Sequence, residues 1–108
     1  MVKQGDIIKL DLSPTASYEQ SGYHPAVVVS NDFAITKTNV VYIAPITNAI
    51  RNFPLHVALD ARTGTTGEIL CEQVKAVDLN ARQYTIIEHI PGDILERVIT
   101  CIISCFDT

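Results

Sequence analysis

At 108 residues, 47% apolar and 19% charged, the chain has the balance of a folding domain rather than of a disordered segment, and length for one core rather than two. Its formal charge of −4 argues against broad, sequence-blind nucleic-acid binding, which draws on phosphate neutralisation, yet leaves room for a local basic groove built from Lys3, Lys9, Lys37, Arg51, Lys75 and Arg82. Lys3, Asp6 and Lys9 interrupt the apolar residues at the start, unlike a signal peptide, and no run approaches the roughly 20 apolar residues of a membrane span, so a cytoplasmic protein with no membrane association is expected.

In chain order, Ile7 to Leu12 alternates Ile8, Leu10 and Leu12 against Lys9 and Asp11, the period of a half-buried strand. A polar loop follows, bounded by Pro14 and Pro25, which is how a fold presents side chains for chemistry. Pro25 to Ser30 is a short valine-rich run suited to a strand covered on both faces. Asn31 to Thr38 reads as a turn or one short helical turn, Asn39 to Ile46 as a third strand, and Leu55 to Leu59 as a fourth. Asp60 to Gly67, rich in glycine and threonine, is expected to be a flexible connection. Glu68 to Leu79 and Gln83 to Ile90 read as two long strands paired antiparallel across a tight Asn80-Ala81-Arg82 link. Pro91-Gly92-Asp93 opens an amphipathic helix, with proline tolerated in the first turn and Asp93 complementing the helix dipole. The sum, for a single domain over residues 1–108, is a mainly β protein: five to seven mostly antiparallel strands, largely a meander, bent into a small barrel and covered by one C-terminal helix.

The three cysteines, Cys71, Cys101 and Cys105, lack zinc spacing and are read as reduced, buried packing residues. A Cys101–Cys105 bridge is disfavoured, because Cβ atoms four residues apart on a helix are about 5–6 Å apart, beyond the roughly 3.5–4.5 Å of a disulfide. His56 and His89 alternate with apolar residues and are read as structural. With no glycine-rich phosphate loop, dinucleotide fingerprint or metal-type cluster, no cofactor and no metal are expected.

The chemistry-bearing residues fall into a recognisable order: Glu19-Gln20-Ser21-Gly22-Tyr23-His24-Pro25, then Pro45-Ile46-Thr47-Asn48, then Cys71-Glu72-Gln73-Val74-Lys75. Over nearly the whole chain this pattern resembles the MazF/PemK family of toxin endoribonucleases. The resemblance implies an SH3-like barrel that dimerises and is neutralised by a cognate antitoxin. It also implies sequence-selective, metal-independent cleavage of single-stranded RNA to a 2′,3′-cyclic phosphate and a 5′-hydroxyl.

Such cleavage needs a base for the 2′-hydroxyl, a donor or cation for the charged transition state, and an acid for the departing 5′-oxygen; the substrate supplies its own nucleophile. The resemblance assigns catalysis to His24 and Thr47. His24 stands where relatives carry arginine, replacing a permanent planar cation by a weaker phosphate ligand that is the better proton-transfer group. Three outcomes follow for it: an acid or base in a modified mechanism, a weak phosphate contact in a slower enzyme, or loss of catalysis. Thr47 offers a hydroxyl donor, or simply turns the chain after its strand. Ser13 and Ser17 replace a family aspartate and glycine in the first loop.

Glu19, Gln20, Arg51, Glu72 and Gln73 are the expected RNA contacts; the alternative for Glu19, Gln20 and Arg51 is a solvated loop residue, and for Glu72 a proton acceptor or an ion pair with Lys75 or Arg82. In a strand Glu72 and Gln73 face opposite ways, so one alone would meet the groove. Competing functions are a toxin of the same fold that binds and poisons a protein target such as gyrase, and an inactive relative that sequesters antitoxin.

Overall fold

A computed structural model describes residues 1–11 and 23–108; Glu19, Gln20 and the replacements Ser13 and Ser17 lie outside the described residues. The strands are β1 (Asp6–Asp11), β2 (Tyr23–Val28), β3 (Val41–Thr47), β4 (His56–Ala58), β5 (Glu68–Leu70), β6 (Lys75–Val77) and β7 (Tyr84–His89). Helices α1 (Asp32–Thr38) and α2 (Gly92–Ser104) complete the framework. The strands run in the order β4-β5-β3-β2-β1-β7, with β6 also on β3, and every pairing among the described residues is antiparallel. Among the described residues no pairing joins β7 to β4 or β6, so the sheet approximates a barrel without closing.

Expectation and structure part company in the second half of the chain. The anticipated hairpin of Glu68–Leu79 with Gln83–Ile90 does not form. β5 and β6 both pair with β3, whereas β7 crosses to pair with β1, so the meander ends after β3. The long strand is broken because its register on β3 shifts by three residues between the Ile46–Ile69 and Ile43–Lys75 pairs. Those three residues, Cys71–Gln73, leave the ladder as a 3₁₀ turn. Glu72 and Gln73 are therefore turn residues, and strand alternation does not govern where they point. The expected tight link Asn80-Ala81-Arg82 falls at a second 3₁₀ turn, Leu79–Ala81, capped by Asp78, whose Oδ1 accepts the Asn80 N–H at 2.9 Å.

The valine run behaves as its composition demands: Val27 and Val28 are both fully buried, one in each of two apolar clusters on opposite faces of the sheet. The first cluster gathers Ile7, Val27, Ala44, Ile46 and Ile69 under Ile94 and Val98 of α2. The second gathers Ile8, Leu10, Val28 and Ile43 with Ile35 of α1. β1 is thus covered on both faces at Ile7 and Ile8, more than a half-buried strand would be. α1 is longer than one turn, capped by Asn31 Oδ1 on the Ala34 N–H at 2.9 Å and closed by Asn39 at φ 58°; asparagine tolerates that left-handed conformation.

Of the cysteines, Cys71 is buried, Cys101 half-buried and Cys105 exposed, so the expectation of three buried thiols fails at the end of α2. The helix runs past the core there and also leaves Ile103 and Phe106 exposed. Burial is the main influence on the Cys71 thiol and pushes its pKa well up, leaving it a packing group. Asp60–Gly67, expected to be flexible, is pinned at both ends. Arg62 bridges Asp60 and Asp93 of α2 at 2.8 Å each, and Glu88 of β7 accepts the Gly64 N–H at 3.0 Å, the Thr65 N–H at 2.8 Å and the Thr65 hydroxyl at 2.7 Å. No helix among the described residues is long and apolar enough to cross a membrane.

Candidate functional site

Two prolines open the site. Pro25 in β2 and Pro45 in β3 lack the N–H that a central ladder uses, and the β2–β3 pairing has its last pair at Ala26–Pro45. Continued two residues past that pair, the register would put His24 against Thr47, but the ladder stops short of them. Beyond the last pair lies a solvent-open cleft of about 520 Å³, lined by Lys9 of β1, by Tyr23, His24 and Pro25 of β2, by Asn48, Thr65 and Thr66, and by Ile87 and Glu88 of β7.

His24 is half-buried and paired through its backbone to Leu10 of β1, and it lines the cleft together with Lys9 of that strand. Thr47 ends β3 immediately before Asn48. Its Oγ1 accepts the Ala49 N–H at 3.2 Å, the turn-forming role anticipated as the alternative for threonine. Accepting that bond leaves the hydroxyl proton free to donate elsewhere.

Behind Thr47 the backbone is crowded. Thr47 pairs with Glu68 of β5, and a Cβ on Gly67 would sit 2.1 Å from the Thr47 carbonyl oxygen. Glu68 is buried, 2% exposed, and its carboxylate accepts the N–H groups of Arg51 at 3.2 Å and Asn52 at 3.1 Å. It also meets His56 Nδ1 at 2.9 Å. The other ring nitrogen of His56, Nε2, lies 3.0 Å from Glu72 Oε2, and Phe53 packs edge-on against the ring with centroids 5.1 Å apart. Burial is the largest single influence on His56 and opposes its charge, but the hydrogen bonds and charges of Glu72 and Glu68 together outweigh it and hold its pKa above 6.5. The same bond to His56 is the leading reason that Glu68 ionises below the usual 4.5.

The predicted residues thus fall into two groups. His24 and Asn48, the residue that follows Thr47 at the end of β3, line the open cleft. Arg51 and Glu72 belong to the neighbouring His56–Glu68 cluster, Arg51 through its backbone with its side chain on an exposed loop. Gln73 is half-buried, and its Oε1 is buried without a hydrogen-bond partner among the described residues. The sequence does not single out Glu88 or His56 as site residues, and it offers Lys9 only among the cations available to a basic groove. Lys9 reads as the polar phase of a strand, Glu88 as an edge-strand charge and His56 as a core histidine; for His56 the one available signal was an imidazole in a strand with Glu68 and Glu72 downstream.

The model of the PemK-like, MazF-like toxins of type II toxin-antitoxin systems matches residues 3–106. The chain belongs to this family. Endoribonuclease EndoA of Bacillus subtilis (strain 168) is 34% identical over 103 residues, an alignment covering 91% of this chain and 88% of that protein. The crystal structure of MazF (Form-I) from Deinococcus radiodurans superposes with a TM-score of 0.89 at 27% identity, covering 97% and 96% of the two chains. MazE-MazF (Form-III) from the same organism gives 0.85 at 25% identity, covering 97% and 95%. The open, mostly antiparallel sheet with its C-terminal helix is accordingly the MazF architecture.

Proposed function

We propose that this chain is the toxin of a type II toxin-antitoxin pair, acting in the cytoplasm as a homodimeric, sequence-selective endoribonuclease on single-stranded RNA and restrained by a cognate antitoxin. The reaction is transesterification without metal. The 2′-oxygen attacks the adjacent phosphorus as its proton is removed, and the 5′-oxygen departs with a proton, leaving a 2′,3′-cyclic phosphate and a 5′-hydroxyl. His24 handles the proton at one of these oxygens, as an imidazole suits near neutral pH. The Thr47 hydroxyl donates to a non-bridging oxygen and the Lys9 ammonium offsets the developing charge. Arg51 and Glu72, with Gln73, Glu19 and Gln20, hold the flanking nucleotides.

The single observation supporting this reading is that His24 lines the open cleft together with Lys9 and with Asn48, the residue after Thr47. Incubation of the purified protein with mixed-sequence single-stranded RNA in excess EDTA, across a pH series, tests it. Cleavage by the native chain is expected to depend on pH and to fall about 100-fold or more in His24→Ala, the scale of a lost general acid or base. Cleavage seen only in His24→Arg would make the native chain a disabled nuclease. No cleavage by any of the three proteins would return a non-catalytic binding toxin or an antitoxin-sequestering relative.

A further inference from the structure

His56 stands outside the cleft, yet both of its ring nitrogens are committed: Nδ1 to Glu68 at 2.9 Å and Nε2 to Glu72 at 3.0 Å. Carboxylates above their pKa accept only, so satisfying both bonds requires a proton on each nitrogen, that is, an imidazolium. The ring is 5% exposed, and a buried cation persists only where it is paired and hydrogen-bonded. Glu68 does more than pair with it. Its two oxygens also hold the backbone N–H groups of Arg51 and Asn52, in the loop that leaves β3 directly after Thr47. Asn52 sits at φ 52°, a left-handed conformation that the bond from its N–H helps to retain. One histidine thereby reaches two of the expected RNA contacts, Glu72 directly and Arg51 through Glu68.

Resting on the nuclease reading above, we infer that His56 is a positioning residue for RNA binding: as an imidazolium it fixes the Glu72 carboxylate and, through Glu68, the loop that carries Arg51. The charged groups facing the ring are Glu68 from β5 and Glu72 from the 3₁₀ turn. α2, which packs against β4, brings Cys101, whose thiol lies 4.0 Å from the Pro54 carbonyl oxygen. Once the ring loses its proton, one of the two carboxylates faces an acceptor, and the bond between them becomes a repulsion. Glu72 then swings free, or Glu68 loosens its hold on Arg51 and Asn52. The consequence is weaker RNA binding above the titration of His56, separate from any effect of pH on bond cleavage at His24.

The test compares native protein, His56→Phe and Glu72→Gln, each also in a His24→Ala background so that the charge of His24 does not enter. KM and kcat are measured on a short single-stranded RNA, and Kd by fluorescence anisotropy on the same sequence with every 2′-oxygen methylated, which binds but has no nucleophile. In the native protein KM and the probe Kd are expected to rise about tenfold as His56 titrates, the scale of a lost hydrogen bond to a charged group. The kcat profile should keep its shape, and His56→Phe should hold the weak-binding value at every pH. Glu72→Gln should bind less tightly below the titration of His56 and flatten part of the rise.

Should His56→Phe fail to fold, the native protein decides by NMR, because the Arg51 and Asn52 amide signals must follow the titration of the His56 ring. Independence of those amides from the ring, or native-like RNA affinity of His56→Phe at low pH, overturns the inference. Probe binding that follows His56 in a chain that cleaves no RNA would sustain the positioning role while removing the nuclease reading.

Discussion

At Gly67, immediately before β5, the backbone passes so close to Thr47 that a side chain has no room. Its φ is 121° and a Cβ would stand 2.1 Å from a backbone oxygen, two independent reasons for glycine. Gly67→Ala is expected to cost about 3 kcal/mol or more, the sum of a strained conformation and a forced separation of strands. Urea denaturation should show it as a lower midpoint with an unchanged slope. A cost below about 0.5 kcal/mol, the level of an unremarkable surface substitution, would mean that β3 and β5 spread freely at Thr47.

Residue identity carried uneven information. The motif around His24 and Thr47 was legible because prolines and short polar runs mark where strands end. The roles of His56, Glu68 and Lys9 were not, because an isolated ionisable residue in an alternating strand reads the same whether it is solvated or clasped by a partner 12 residues away.

Among the elements, α2 is the one whose packing the sequence described most fully. Its spacing predicted an apolar stripe, and Ile94 and Val98 are fully buried against the sheet, with Leu95, Ile99 and Ile102 at the margin of the same cluster. Ile94→Ala is expected to destabilise by about 2–5 kcal/mol, the range for truncating a buried aliphatic side chain. Ile103→Ala, at a position 55% exposed, should stay within about 0.5 kcal/mol. Chemical denaturation of the two variants side by side checks the contrast, and equal losses would place the helix differently on the sheet.

The long strand after Gly67 was misread for a definite reason. Glu68 to Leu79 has strand composition throughout, and composition does not record that β3 offers partners at two registers three residues apart. The resulting 3₁₀ turn is what lifts Glu72 out of the sheet and into reach of His56. β7, too, was recognised as a strand and assigned the wrong neighbour; its edge position beside β1 leaves Tyr84, Ile86 and Ile87 partly exposed.

For the whole molecule, ionisable groups set opposing limits on stability with pH. His56 titrates above its ordinary 6.5 in the fold, so its contribution is complete below that value and is lost as pH rises through the folded one. Glu68 and Glu88 titrate below 4.5 and Asp93 below 3.8, while the hydrogen bonds from Arg62 hold Asp60 at about 2. Their contributions are complete above the ordinary carboxylate values and are lost as pH falls through the folded ones. Both sets are intact only between roughly pH 4.5 and 6.5. Thermal unfolding across pH 3 to 9 is expected to give the highest Tm inside that window, with the alkaline decline removed in His56→Phe. A Tm still rising above pH 8 would contradict the imidazolium.

From residue order alone came the class of fold, most of the strands, the C-terminal helix and the family resemblance, because hydrophobic period, prolines and short polar runs are local properties. The tertiary structure alone decided which strands adjoin, where the ladder between β2 and β3 stops, and that Glu68, His56 and Glu72 share two hydrogen bonds, because pairing partners and burial depend on contacts between residues distant in the chain.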